Sequence, residues 1–391
     1  MKFIKDIEVT GKRVFVRVDF NVPLDKNLKI TDDSRIKGAL PTLSYLISKN
    51  ASLIIASHLG RPKGKPLPQF SLAPVAKHMS YLLGKEVHMA KDCVGSEVKY
   101  LVKGMKAGEI TLLENLRFHK EEQENNEAFA KELADLCDVY INDAFAVSHR
   151  NNASVVAITK FASVSAAGFL LYKELDYFKK SMKNPKRPLI AIVGGAKVSS
   201  KLAALKNMLS HVDKIIIGGA MANTFLKARG LDLAESKLEI ELIEEAKSVM
   251  NSAAEKGIEF FLPEDVIIAK EISPKAETQI VSVNDIPSGY MALDIGAKSS
   301  ELFCKALNDA ETIIWNGPMG AFEVEAFSRG TMELTEGVAN SSALTIAGGG
   351  DTDAAIHKAG VLDKISYIST GGGAFLTLLE GKSLTAVKAL E

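Results

Sequence analysis

The chain has 391 residues, 47% of them hydrophobic, and its 48 basic and 48 acidic side chains cancel. A chain of this length is expected to fill two domains of ordinary size; with net charge zero no global basic field suggests nucleic acid, and no acidic or basic tail suggests a solvating arm. The three cysteines, Cys93, Cys137 and Cys304, form no C-x-x-C pair, the start MKFIKDIEV has no secretory h-region, and no apolar run approaches the roughly 20 residues that span a bilayer. A soluble, cytoplasmic protein with reduced thiols and neither a metal cluster nor a disulfide framework is expected.

Taken in chain order, the first half alternates short apolar runs with helical patterns. Strands are predicted at Val14–Val18, Leu53–Ala56, Thr111–Leu113 and Val139–Ile141, and a helix over Asn125–Leu136. The residues just past each strand are charged or polar: Asp19, Phe20 and Asn21; then His58, Leu59, Gly60 and Arg61; then Arg117; then Asp143, His149 and Arg150. Arg35 lies in the loop-like TDDSR. Only nine arginines occur among the 48 basic residues, and six of the nine fall in the first 150 residues. Lysine is therefore the default solvating cation, and arginine at strand ends marks a choice for its fixed fork, which grips phosphate or carboxylate with two parallel hydrogen bonds. A single arginine is more often a surface ion pair. Four of them with His58 at the ends of one sheet point to a pocket for a small polyanion.

The basic segment Tyr177–Pro188, with two prolines, breaks the pattern and marks a domain boundary. Beyond it, strands are predicted at Leu189–Val193, Lys214–Ile217, Glu259–Leu262, Thr312–Trp315, Leu344–Ala347 and Ser366–Ile368, with a helix over Ile240–Lys256. Continuous apolar strands alternating with helices argue for buried parallel sheets, and ligands of such sheets sit beyond the carboxyl ends of the strands. Here those ends carry glycine: VGGAK (Gly194, Gly195), IGGAM, WNGPMG (Asn316, Gly317, Pro318, Gly320), AGGGDT (Gly348–Gly350, Asp351, Thr352) and STGGGAF (Gly371–Gly373). Glycine lets backbone amides approach an anion, and a helix that starts after it adds a positive dipole. Five such clusters suggest a nucleotide surface. Neither the phosphate-loop spacing nor the dinucleotide fingerprint is matched, which argues against hydride transfer. Lys197 and Lys201 share one face if the segment after Gly195 is helical. Asp351 has two readings that stand equally: an N-cap or a partner of Mg²⁺ bridging phosphates.

The motifs RVDFNVP, SHLGRP, LLENLRF, DAF–SHR, GGAKVSSK, GGAMANTFL, WNGPMGAFE, GGGDT and STGGGAF, in this order and over essentially the whole chain, resemble phosphoglycerate kinase in its bacterial, single-chain, two-domain form. The resemblance implies an α/β fold of two doubly wound parallel-sheet domains facing a cleft. It divides the chain into a phosphoglycerate domain (1–170), an interdomain helix (171–186), a nucleotide domain (187–370) and a C-terminal segment (371–391) returning to the first domain. It implies reversible transfer between 1,3-bisphosphoglycerate and MgADP, with Mg²⁺ as the only cofactor, by a cytoplasmic monomer with no nucleic-acid or membrane partner. Asp19 to Asn21, Arg35, His58 to Arg61, Arg117 and Arg150 would then hold 3-phosphoglycerate. Gly194, Gly195, Lys197, Lys201, Asn316, Pro318, Glu323 and Gly349 to Thr352 would hold ATP or ADP, with Glu323 on the ribose and Asp351 on Mg²⁺. Arg35, Lys197, Gly349 and Gly372 would face the phosphoryl group in transfer.

The acceptor in the ATP-consuming direction is a carboxylate, whose pKa of about 4 leaves it ionised at neutral pH, so no general base is needed. The protein must position two anions in line and neutralise the transition state. With each substrate on its own domain, the domains are expected to close and exclude water.

Overall fold

Apolar runs bounded by turn residues become parallel strands buried on both faces. The computed structural model describes residues 1–391, and the chain divides into two compact units, Met1–Asp176 with Ser383–Glu391, and Tyr177–Lys382. In the first unit lie β1 (Arg13–Arg17), β2 (Ser52–Ala56), β3 (Val87–Met89), β4 (Ile110–Leu112), β5 (Val139–Asn142) and β6 (Ser165–Ala167). They form one parallel sheet in the order β3-β4-β2-β1-β5-β6. Val14, Val16, Leu53, Ile55 and Ile141 of this sheet bury one face against Leu43 and Leu46 of the helix Ser34–Ser48.

The second unit holds β7 (Leu189–Val193), β8 (Lys214–Ile217), β9 (Glu259–Phe261), β10 (Asp265–Ala269), β11 (Gln279–Ser282), β12 (Met291–Ile295), β13 (Thr312–Asn316), β14 (Leu344–Gly348) and β15 (Tyr367–Ser369). Six of these make a parallel sheet in the order β15-β14-β13-β7-β8-β9, and β11-β10-β12 make a separate antiparallel sheet. Ile190, Ile192, Ile313 and Trp315 form the core with Leu334 and Val338 of the helix Arg329–Asn340.

Both parallel sheets reverse their direction of growth once. In the first, β1 leads to β2 on one side while β5 adds on the other. In the second, β7 leads to β8 and β9 while β13 starts the other wing. Those switch points are where a doubly wound sheet opens a crevice at its strand ends. β1/β5 and β7/β13 are therefore the two places to look for ligands.

All ten expected strands form, with ends displaced by no more than one residue. The expected helix Asn125–Leu136 is shorter, Glu127–Ala134, because Asn126 caps it by accepting from the Phe129 amide at 3.0 Å. The expected helix Ile240–Lys256 begins with a 3₁₀ turn, Ile240–Leu242, before Ile243–Glu255. Five strands were not expected: β3, β6 and the whole antiparallel sheet.

The division into units falls at other residues than the expected boundaries. The division passes between Asp176 and Tyr177, inside the helix Phe169–Phe178, and so within the expected interdomain segment 171–186. The return to the first unit starts at Ser383, not at 371. The helix Gly372–Leu379 belongs to the second unit, where Asn207 Nδ2 donates to the Leu379 carbonyl at 2.8 Å. The last residues are held by Ala386, whose amide donates to the Ser148 carbonyl at 3.0 Å and whose methyl is buried among Ala144, Val147 and Val155. Ala386→Leu should overpack this cluster and lower stability by about 1–3 kcal/mol in urea unfolding. Stability equal to the parent would mean that the terminal segment is not anchored there.

Candidate active site

β1 ends in Arg17, and its guanidinium lies in the β1/β5 crevice with only 1% of its surface exposed. Its Nε donates to Ser154 Oγ at 2.8 Å, its Nη1 donates to the Val18 carbonyl, and its Nη2 lies 3.4 Å from His58 Nδ1. Asp19 is next but one, with one carboxylate oxygen on Arg35 Nη1 and the other 3.8 Å from His58 Nδ1. The start of the helix Ser34–Ser48 presents Arg35 to this carboxylate. Asn21 closes the loop by accepting the Gly60 amide at 2.8 Å. Asn115 fixes the loop after β2, accepting from the Leu59 amide at 3.2 Å and donating to the Leu59 carbonyl at 2.7 Å. Arg117 Nη1 donates to the Gly60 carbonyl at 2.8 Å.

Burial decides the protonation of this cluster. It pushes the His58 imidazole well below its ordinary range; Asp19 opposes this, and Arg17, Arg117 and Arg150 add to it. Burial, then repulsion from Arg17 and Arg150, brings Arg117 down to about 10. Burial raises Asp19, but His58, Arg35 and Arg17 more than offset it and hold the carboxyl below its usual value. With His58 neutral at pH 7, the two guanidinium groups carry that effect. The crevice thus holds guanidinium groups that repel one another, a charge pattern suited to a polyanion.

The second unit builds its site from backbone. Gly194 and Gly195 donate to the Asn316 and Pro318 carbonyls at 3.0 and 2.9 Å, which ties the ends of β7 and β13 together. Lys201 Nζ donates to the Gly194 and Asn316 carbonyls at 2.6 and 2.7 Å. Gly317, at φ +103°, has no room for a side chain: a Cβ would lie 2.3 Å from the Gly194 carbonyl oxygen and 2.5 Å from Lys201 Nζ. Asn316 Nδ2 donates to the Gly348 carbonyl at 2.7 Å, and Thr352 Oγ1 accepts the Gly317 amide at 2.7 Å. The helices Gly350–Ala359 and Gly372–Leu379 start side by side, and a Cβ on Gly372 would lie 3.0 Å from Gly349 Cα. Two helix N-termini therefore converge next to Lys201.

Beside them is a cavity of about 310 Å³, bounded by Gly195, Gly219, Pro318, Glu323 and Asp351 on one side and Val266, Ile272, Met291 and Leu293 on the other. Its apolar wall and polar rim suit a nucleoside whose phosphates run toward the glycines.

The family model described as phosphoglycerate kinase matches residues 4–382. The chain belongs to that family. It is 60% identical over 391 residues to the phosphoglycerate kinase of Desulfosudis oleivorans, covering 100% of this chain and 99% of that one. To the phosphoglycerate kinase of Geobacter metallireducens it is 57% identical over 392 residues, covering 100% and 98%. Among solved structures, the Coxiella burnetii phosphoglycerate kinase superposes with a TM-score of 0.91 at 44% identity, covering 99% of this chain and 98% of that one. The Pyrococcus horikoshii phosphoglycerate kinase gives 0.85 at 33% identity, covering 100% and 98%.

The structure gathers Asp19, Asn21, Arg35, His58, Gly60 and Arg117 at the first crevice. Arg150 is half-buried and held by Thr385, which donates to its carbonyl at 3.1 Å. Arg61 is exposed. Phe20 and Leu59 are different: their side chains lie in the core and their amides are bonded to Ser57 Oγ and Asn115 Oδ1, so they shape the loops. Asn316 and Thr352 likewise turn inward. The segment after Gly195 is not helical. Turns lead to a helix that begins only at Leu202, so Lys197 is exposed while Lys201 is held against the carbonyls. Asp351 is not the N-cap, which is Gly349. It sits in the first helical turn, exposed, close enough to Lys201 to affect its charge. Sequence reasoning left Arg17 inside its strand and missed the antiparallel sheet that supplies the apolar cavity wall. The run DVIIA after Pro263 was its one signal.

Burial brings Lys201 down to about 8, with Asp351 opposing the shift. A phosphate beside the ammonium favours its charged form, so ADP should raise this value, take up a proton on binding near pH 8, and bind more weakly above it. NMR of lysine ε-carbons should show one resonance, absent from Lys201→Met, titrating near 8 and moving upward with ADP. A titration indifferent to ADP would mean that no phosphate reaches Lys201.

Proposed function

We propose that this chain transfers a phosphoryl group between 1,3-bisphosphoglycerate and MgADP, giving 3-phosphoglycerate and MgATP, the reversible glycolytic reaction. The observation that carries this reading is the contrast between two switch points: a crevice of mutually repelling guanidinium groups in one unit, and glycine amides, two helix N-termini and a buried lysine in the other. The first unit takes 3-phosphoglycerate through Asp19, Asn21, Arg35, His58, Arg61, Arg117 and Arg150. The second takes ATP or ADP through Gly194, Gly195, Lys197, Lys201, Pro318, Glu323 and the start of the helix Gly350–Ala359. The protein works as a cytoplasmic monomer.

In the ATP-consuming direction, a carboxylate oxygen of 3-phosphoglycerate forms a bond to the γ-phosphorus as the bond to the β,γ-bridging oxygen breaks. The carboxylate is ionised already, so the transfer needs no base. Charge on the three equatorial oxygens is met by the Arg35 guanidinium, by Lys197 and by the amides at Gly349 and Gly372, which are fixed before reaction. Approach of the two substrates in line requires the two units to close, which also keeps water from the acyl phosphate.

Asp351 fits a role on Mg²⁺. Its carboxylate is exposed in the first helical turn, at the rim of the nucleotide cavity, and bonds to no protein group. One free carboxylate plus substrate oxygens is the donor set this ion takes. When bound, the ion neutralises phosphate charge.

ATP consumption should depend strictly on 3-phosphoglycerate, and nucleotide turnover without it would overturn the reading. Asp351→Asn should leave the ligand-free melting temperature nearly unchanged, since no cap is lost. It should weaken ADP binding in the presence of Mg²⁺ and leave binding in chelator at least as strong. An unchanged Mg²⁺ dependence would remove Asp351 from the metal.

A further inference from the structure

Behind the arginines lies a carboxylate that the roles above do not use. Glu122 is 1% exposed and sits on the short helix Lys120–Gln123. Its backbone carbonyl accepts from the Ala153 amide at 2.9 Å and from Asn152 Nδ2 at 3.1 Å. One carboxylate oxygen accepts the Ser154 amide at 2.9 Å, and the other accepts the Ser154 hydroxyl at 2.7 Å. His119, which precedes the helix, is bonded to Asp92 at 2.7 Å. The carboxylate is thus held from several sides.

Its relation to Arg17 is indirect. The nearest approach is 3.8 Å, from Nη2 to a carboxylate oxygen, and the Ser154 hydroxyl bridges the two groups, accepting from Arg17 Nε at 2.8 Å and donating to Glu122 at 2.7 Å. A direct two-pronged pair would occupy the arginine's fork. No direct hydrogen bond to Glu122 closes on the fork: Nη2 lies 3.8 Å from the carboxylate and 3.4 Å from His58 Nδ1, so the negative charge acts at short range without occupying it. Glu122 also partly offsets the repulsion felt by Arg117. A buried guanidinium without a compensating charge is strongly destabilising, so the charge belongs to the resting protein. The same charge opposes any anion entering the crevice.

We propose that Glu122 is a positioning residue and resident counter-charge of the phosphoglycerate site: it stabilises the ligand-free arginine cluster and weakens the site's hold on its anionic substrate. The proposal rests on the reading of the arginine crevice as the 3-phosphoglycerate site.

Glu122→Gln keeps the size and an acceptor for Ser154 but removes the charge. Calorimetric titration should show 3-phosphoglycerate binding about three- to tenfold tighter than in the parent, on the order expected when one screened like-charge repulsion is removed. The ligand-free melting temperature should fall and the 3-phosphoglycerate-induced rise should grow. Glu122→Asp, which restores the charge, should bring the affinity back toward the parent value. Unchanged or weaker binding by Glu122→Gln would overturn the proposal, because a merely structural glutamate predicts that. If the single variant does not fold, Arg17→Gln/Glu122→Gln is compared with Arg17→Gln. The pair should bind several-fold tighter, and equal affinity overturns the proposal. Arg117→Gln separates the two readings: if it binds 3-phosphoglycerate like the parent, the crevice is not the substrate site, whereas if it loses binding while Glu122→Gln is unchanged, only the role of Glu122 fails.

Discussion

Positive charge withdrawn from water at the ends of parallel strands is the constraint on which the rest of this molecule depends. A guanidinium or ammonium group loses hydration when buried, and only partners of opposite polarity make that tolerable. In the first unit, Arg17 meets Ser154, the Val18 carbonyl and the distant charge of Glu122, and Arg35 meets Asp19. In the second, Lys201 meets two backbone carbonyls. These partners keep the cations in place without cancelling them. The displaced values of Arg117, about 10, and Lys201, about 8, report that residual cost. An anion beside either group would relieve that cost.

The same architecture handles the constraint with different chemistry in its two units. Around β1 and β5, side chains do the work, and the loops are pinned by Asn21, Ser57 and Asn115 so that the forks stay aimed. A small rigid acid with a phosphate at one end is well matched by directional forks. Around β7 and β13, backbone does the work, and side chains such as Asn316 and Thr352 brace the loops from behind. A phosphate chain bound to a flat base is better met by amides and helix ends that crowd close to it, which only glycine at Gly317 and Gly349 allows.

Much of this was legible in the sequence, for physical reasons. Runs such as LIAIV and TIIWN form strands buried on both faces, and the residues just past them lie at the two crevices. The rarity of arginine pointed to Arg35 and Arg117, which lie at the first crevice, and to Arg61 and Arg150, of which the first is exposed and the second half-buried. Arg17 was hidden because it is the last residue of a strand, where the pattern predicts a side chain in the sheet. The antiparallel sheet was hidden because its pieces, DVIIA, QIVS and MALDI, are short and separated by polar loops that give no period. The different fates of Lys197 and Lys201 could not be read either. A four-residue spacing places two lysines together only on a helix, and the turns at Ser199–Lys201 undo that premise. The C-terminal return starts late because the helix Gly372–Leu379 is bound to Asn207 in the second unit before the chain leaves it.

We propose that each substrate has its own unit and its own kind of donor. Hydrogen–deuterium exchange of the intact chain, with one ligand at a time, tests it most directly. With 3-phosphoglycerate alone, exchange should slow at Arg17–Asn21, His58–Arg61 and the loop around Arg117, and stay unchanged at Gly194–Lys201 and Gly348–Thr352. With MgADP alone, the pattern should reverse. Protection of the glycine-rich strand ends by 3-phosphoglycerate alone, or of the arginine crevice by MgADP alone, would contradict the account.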